Sequence, residues 1–83
     1  MEESIMELHM SDIMLHIDED LSPREQLIFE SQMREQPGVI GLGYHSTRPH
    51  LMIVEYNVDS TTPKNLLLAV NDCGLHAELV GFL

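Results

Sequence analysis

The sequence predicts an α+β domain in which one four-stranded antiparallel sheet carries two helices on one face. Four apolar runs have the length and patterning of strands, and two segments begin and end with residues that start and stop helices. These elements follow one another in the order β-α-β-β-α-β. A chain of 83 residues is long enough for one such domain.

The first strand and the first helix are predicted in "SDIMLHIDEDLSPREQLIFESQMREQPG". Apolar residues alternate in "SDIMLHID", which is typical of a strand with one buried face. Ser22 is the expected N-cap of the helix, Pro23 fits its first position, and Glu25 completes an S-x-x-E capping box. Pro37-Gly38 ends the helix. Its predicted apolar stripe consists of Leu27, Ile28, Phe29 and Met33.

The second half of the chain has the same kinds of strand patterns and helix start and stop signals. "VIGLGYH" and "LMIVEYNV" predict two strands joined by the five-residue loop "STRPH". "STTPKNLLLAVNDCG" predicts a helix with Thr62 as its cap and Gly74 as its stop, and "LHAELVGFL" predicts the last strand. The whole order is that of the split βαβ, or ferredoxin-like, sandwich, with strand order 4-1-3-2. We assign residues 1–10 to an N-terminal tail or strand extension and residues 11–83 to the single domain.

The charge of the chain excludes several classes of partner. Four Lys and Arg residues face fourteen Asp and Glu residues, which gives a net charge of -10. This charge argues against nucleic acid and anionic membranes, and it favours a protein partner with a basic patch. The acidic N-terminus lacks the basic region of a secretory signal, and the one cysteine forms no internal disulfide. We therefore expect a cytoplasmic protein.

The residues from "PGVIGLGYH" through "LMIVEYNVDSTTPKNLLLAVNDCGLHAEL" resemble the heavy-metal-associated (HMA) domain of copper chaperones and metal-transporting ATPases. The resemblance covers roughly residues 12–82 and implies the ferredoxin-like fold. The family has G-M-x-C-x-x-C after its first strand, and the two thiolates bind Cu(I). Here the two cysteine positions fall near Ser22 and Glu25, and capping of the helix is a sufficient role for these two residues. The resemblance therefore implies the fold without the thiolate site, and we expect no cofactor.

Alternative metal ligands are present, so a Cu or Zn ion remains the second expectation. On the face of the sheet away from the helices, His16 and His76 should lie on neighbouring strands, and Glu55 shares that face. Such a group suits Zn or Cu(II). Met6, His9 and Met10 form a softer set suited to Cu(I), although methionine more often packs. The acidic turn Asp18-Glu19-Asp20 suits a hard cation, but acids at a helix start have an ordinary structural role.

Met14, Leu51 and Ile53 are predicted to form an apolar patch on the same open face. An exposed patch of this kind is typical of an interaction site, so we expect either a basic protein partner or a homo-oligomer at this face. Coverage by the N-terminal residues is the alternative.

No catalytic arrangement is present, and no enzyme activity is predicted. The favoured hypothesis is a non-enzymatic HMA-like interaction or accessory module that functions in metal handling. The second is metal binding through the His, Met and carboxylate ligands named above. A regulatory small-ligand domain is a weaker third hypothesis, since it rests on fold analogy alone.

Overall fold

Four strands and two helices follow the predicted order in the computed structural model, which describes residues 9–45 and 47–82. The four strands form one antiparallel sheet in the order β2-β3-β1-β4, so the predicted fold class and strand order are confirmed. The elements are β1 (Met10–Ile17), α1 (Pro23–Arg34), β2 (Val39–His45), β3 (Arg48–Asn57), α2 (Pro63–Asp72) and β4 (Ala77–Phe82).

Helix α1 begins at the predicted capping box. The Ser22 Oγ accepts a hydrogen bond from the Glu25 N–H at 3.2 Å, and the Glu25 Oε1 accepts one from the Ser22 N–H at 2.8 Å. The second bond lowers the pKa of Glu25 below its ordinary value. The predicted stripe is only half right, because Phe29 and Met33, one turn apart, are buried while Leu27 and Ile28 are exposed.

Helix α2 also begins and ends where expected. The Thr62 Oγ1 accepts a hydrogen bond from the Asn65 N–H at 3.1 Å, and Pro63 occupies the first turn. After the helix, Gly74 has a φ of +84°, a conformation that glycine adopts without steric cost. The buried face of α2 consists of Leu66, Ala69 and Val70.

The core lies between the sheet and the two helices. Strand β1 contributes alternate residues to it, as a half-buried strand should. The sheet supplies Ile13, Leu15, Ile17, Met52, Val54 and Tyr56 to this core, and the helices supply Phe29, Met33, Leu66, Ala69 and Val70.

Two element boundaries differ from the sequence prediction. Strand β3 begins at Arg48, so it includes three residues that were predicted to be loop. Strand β4 begins at Ala77, because the backbone N–H of His76 donates to the Glu19 carboxylate at 2.9 Å. Both differences change the surroundings of histidines at this end of the sheet.

Candidate functional site

Three metal-ligating side chains meet where β1 ends. His16 lies directly opposite Glu78 of β4 in the antiparallel register, and Asp18 follows β1 by one residue. The His16 Nδ1 lies 3.2 Å from the Asp18 Oδ1. One ligand atom from each of the three side chains lies within 4.8 Å of the others. We call His16, Asp18 and Glu78 the strand-end cluster; an imidazole and two carboxylates at this spacing can converge on one ion.

A second histidine ring packs against the cluster. The ring of His50 stacks on that of His16 with centroids 5.5 Å apart and planes 15° from parallel. The His50 Nδ1 donates to the Ile17 carbonyl at 2.6 Å, and its Nε2 lies 2.8 Å from the Asp20 carboxylate. These contacts, the Ile17 hydrogen bond first, raise the pKa of His50. Both ring nitrogens of His50 already have partners, so His50 packs against the His16 ring and does not add a ligand to the cluster.

The remaining histidine of this region has a carboxylate of its own. The His76 Nδ1 donates to the Glu19 Oε2 at 2.6 Å, while the His76 backbone N–H donates to the other oxygen of the same carboxylate. The side-chain hydrogen bond lowers the pKa of Glu19 and raises that of His76. This pair ties the β1–α1 loop to the start of β4.

The structure does not bring together His16, His76 and Glu55. Glu55 lies opposite Asp12, four residues along the strands from the level of His16. That separation is about 13 Å at the usual rise of a strand. His76 pairs with Glu19 and stays outside the strand-end cluster. Only His16 of the three predicted ligands belongs to the cluster.

Two residues of the second predicted ligand set, His9 and Met10, lie at the other end of β1. Met6 lies outside the described residues. The His9 Nδ1 is 2.9 Å from the Asp59 Oδ2, and the His9 carbonyl accepts from the Val58 N–H at 2.8 Å. Met10 begins β1 opposite Asn57 and is exposed. The structure thus gives His9 a carboxylate partner.

The predicted interface residues occupy the open face in adjacent rows. Ile53 of β3 lies opposite Met14 of β1, and Leu51 lies opposite His16. All three apolar side chains are half-buried. Beside Ile53 runs a groove of about 340 Å³ over β2. Its lining includes Asp12, Gly41, Gly43, Ile53 and Glu55.

Sequence reasoning missed two residues of this site. It placed Glu78 on the open face without pairing it to His16, because strand parity does not specify the register between β1 and β4. It placed His50 in a hairpin loop, because Pro49 precedes it and proline weakens a strand prediction. Asp18 had been considered only as part of the acidic turn. The paired parity of His16 and Glu78 was the signal available in the sequence.

Among the described residues, neither helix has the length and apolar character needed to cross a membrane. No family model matches the chain, and no curated protein matches it significantly.

Solved structures of the same fold are similar to the chain. The yeast copper transporter domain CCC2A, solved in apo and Cu(I)-loaded states, has a TM-score of 0.73 at 17% identity, covering 86% of this chain and 96% of that one. A copper-binding domain from HMA7, a P-type ATPase, has a TM-score of 0.78 at 12% identity, and the match covers 87% of this chain and 96% of that one. Oxidized MerP from Ralstonia metallidurans CH34 has a TM-score of 0.76 at 12% identity, and the match covers 87% of this chain and 99% of that one. The chain therefore has an HMA-like fold.

These neighbours overturn one expectation from the sequence. We predicted no cofactor, because the thiolate pair is missing from a chain with one cysteine. The neighbouring domains, however, include one solved with Cu(I) bound and one described as copper-binding. The prediction of no cofactor is wrong against this comparison.

Proposed function

We propose that the chain is a non-enzymatic metal-handling module of the cytoplasm that binds a divalent ion in the strand-end cluster and works with a protein partner. The likeness to copper-binding domains supports metal handling in general. The single observation that supports this site is the convergence of His16, Asp18 and Glu78 within 4.8 Å. It adjoins the loop in which the HMA resemblance places the metal ligands.

Cu(I) bound by two thiolates does not fit this chain. Ser22 and Glu25, which occupy the cysteine positions of the resemblance, use their side chains to cap α1. Cys73, the one cysteine, lies at the end of α2, and burial raises the pKa of its thiol. The nitrogen and oxygen donors of the strand-end cluster instead suit Zn(II) or Cu(II), ions that imidazole and carboxylate ligands bind well.

The surroundings favour a cation at this position. Glu19 and Asp20 lie in the same loop as Asp18, and the whole chain has a net charge of -10. Clustered negative charge raises the local concentration of cations. Three protein ligands leave a fourth position of a tetrahedral ion open to water or to a ligand from a partner. An exchangeable ion would have that arrangement.

Titration of the full chain with ZnCl₂ and with CuSO₄, followed by calorimetry and by NMR, tests the site. We expect saturable binding with one ion per chain and the largest shifts at His16, Asp18 and Glu78. His16→Ala should weaken the affinity by about tenfold or more, because it removes the nitrogen ligand. His76→Ala is the matched control, since this histidine lies at the same end of the sheet but outside the cluster.

Three results would contradict the metal site. They are an absence of saturable binding at micromolar metal, equal losses in the two histidine variants, and shifts confined to His9 and Met10. The last result would assign the ion to the N-terminal ligand set.

An interaction or accessory role is the second candidate function. The apolar row formed by Met14 and Ile53 supports it, because neither helix of the described residues covers this face of the sheet. An apolar surface of this kind is typical of a protein interface. This role does not require a bound ion.

A further inference from the structure

The open face of the sheet has three glycines that the fold itself does not require. Among the residues that the structure describes, a Cβ added at Gly43 or Gly81 would meet nothing within 4 Å, and one at Gly41 would meet only the Glu55 Oε1, at 3.6 Å. None of the three has a positive φ. Glycine inside a strand weakens it and often marks the close approach of a ligand or another backbone. The packing of residues 9–45 and 47–82 leaves these glycines unexplained.

Two of these glycines flank an apolar centre. Across the sheet, Gly43 of β2 lies opposite Ile53, Ile53 lies opposite Met14, and Met14 lies opposite Gly81 of β4. The row therefore has side chains on its two middle strands and none on its outer strands. Four strands at the usual spacing span about 14 Å, and an α-helix with its side chains is roughly 10–12 Å in diameter. One helix therefore fits across the row.

The charges around this row are negative. Asp12 and Glu55 are direct cross-strand neighbours at one end of the groove over β2. Like charges directly opposite each other destabilise a sheet. Within residues 9–45 and 47–82, no basic side chain lies within ion-pair distance of either carboxylate. Glu78 lies at the other end of the face, about 13 Å away, which is about nine residues of helix.

We propose that the open face binds a basic amphipathic helix of another protein. Its apolar side chains cover Met14 and Ile53, and its Lys or Arg side chains lie over Gly41 and reach the Asp12–Glu55 pair. The inference rests on the interaction role proposed above and not on the metal site.

Charge favours a basic helix over two other occupants, a second copy of the chain and residues 1–8. A second copy would bring another net charge of -10 to an acidic face. Residues 1–8 carry three glutamates and no lysine or arginine, so they would add like charges to the same carboxylates. A basic helix neutralises Asp12 and Glu55, which the described part of this chain does not do.

The test uses the full chain in EDTA, so that metal binding does not contribute. The probe is a synthetic peptide of about 18 residues built from Leu and Lys at amphipathic helical spacing. A peptide with Glu in place of Lys is the charge control. We expect saturable binding of the Lys peptide and no binding of the Glu peptide. The Lys peptide should shift the amide signals of Gly41, Gly43, Ile53 and Gly81 and none on the exposed face of α2.

Variants separate docking from folding. Ile53→Glu and Gly43→Val should each weaken peptide binding by about tenfold or more, because the first removes the apolar centre and the second fills the groove. Gly43→Val should not destabilise the fold, since a Cβ there has open space and valine favours strands. Leu68→Glu is the matched control, because Leu68 is exposed on α2. Peptide binding is measured in EDTA and metal binding without peptide, so a failed metal site and a failed docking face give different results.

Several outcomes would overturn the inference. Equal binding of the Lys and Glu peptides would exclude charge selection, and shifts confined to the helices would place the contact elsewhere. Concentration-dependent shifts at Ile53 in the free chain would assign the face to a second copy. Contacts from residues 1–8 to Ile53, seen as nuclear Overhauser effects in the free full chain, would assign it to that segment.

Discussion

The two faces of the sheet are made from the same four strands but are completed in different ways. On the helix-covered face, Leu15 and Val54 have no exposed surface. On the open face, their neighbours Met14 and Ile53 are half-buried and lie between glycines. The chain fills the first face itself, whereas on the second it leaves the outer strands without side chains in the row of Met14 and Ile53. The difference indicates that stability comes from the covered face, and it is the basis for the docking proposed at the open face.

Truncating neighbouring residues of β1 gives the largest contrast between the faces. Leu15→Ala should lower the free energy of unfolding by about 2–5 kcal/mol, because it opens a cavity in a closed core. Met14→Ala should cost less than about 1 kcal/mol, since half-buried Met14 loses less burial. Urea unfolding of both variants measures the difference. Equal costs would mean that the open face is covered in the free chain.

The glycines should separate in the same way. Gly38 has a φ of +87°, and a Cβ there would lie 2.8 Å from the Thr61 Cγ2. Gly38→Ala should therefore cost about 1–3 kcal/mol, from backbone strain and from the contact with Thr61. Gly43→Ala should raise stability by about 0.5–1 kcal/mol, because it meets nothing and restricts the unfolded chain. Thermal unfolding tests both, and a destabilising Gly43→Ala would show that the fold does need this glycine.

Tyr44, on the helix-covered face, has a hydroxyl group that the packing of residues 9–45 and 47–82 does not satisfy. Its hydroxyl is buried without a hydrogen-bond partner among the described residues, and burial raises the pKa of Tyr44 to about 12, with a smaller contribution from Glu30. Tyr44→Phe should raise stability by about 1 kcal/mol, since it removes an unsatisfied polar group.

The pH dependence checks this interpretation of Tyr44. The unfolded chain ionises this tyrosine near its ordinary pKa of 10, and the folded chain near 12. The fold therefore favours the neutral form of the Tyr44 side chain over the ionised form, and this preference should cost stability as the pH rises from 10 to 12. Wild-type stability should fall more steeply than that of Tyr44→Phe over this interval. Parallel curves would show that the hydroxyl is solvated.

The acidic pair on the open face should give the smallest effect on stability. Glu55→Gln removes a like-charge cross-strand contact with Asp12 and should raise stability by roughly 0.5 kcal/mol. The same change should weaken binding of the Lys peptide, because one of its two anionic partners is lost. Glu35→Gln, an exposed acid at the end of α1, is the control for net charge. A variant that is both more stable and better at binding would contradict the docking face.

The helix starts show how far local sequence can be interpreted. The capping box of Ser22 and Glu25 and the cap at Thr62 form as expected, because each is a contact within three residues. The exposure of Leu27 and Ile28 could not be predicted in the same way. Which part of an apolar stripe is buried depends on how the helix rotates against the sheet.

The candidate site shows the same division at longer range. Strand parity alone placed His16, Met14 and Ile53 on the open face, because side chains alternate along a strand whatever its neighbours are. Parity did not reveal that His16 faces Glu78, that His50 stacks on it, or that His76 instead pairs with Glu19. Those neighbours depend on the β1–β4 register and on a longer β3.

The order of elements, the helix caps and the two faces of the sheet follow from the amino-acid sequence alone. These depend on contacts between residues close along the chain and on fixed periodicities, so they need no knowledge of the packed fold. Which ligands converge, and which glycines share a row across the sheet, depends on the tertiary packing. A register shift of one residue between strands changes every cross-strand partner, and hydrophobic pattern alone does not specify it.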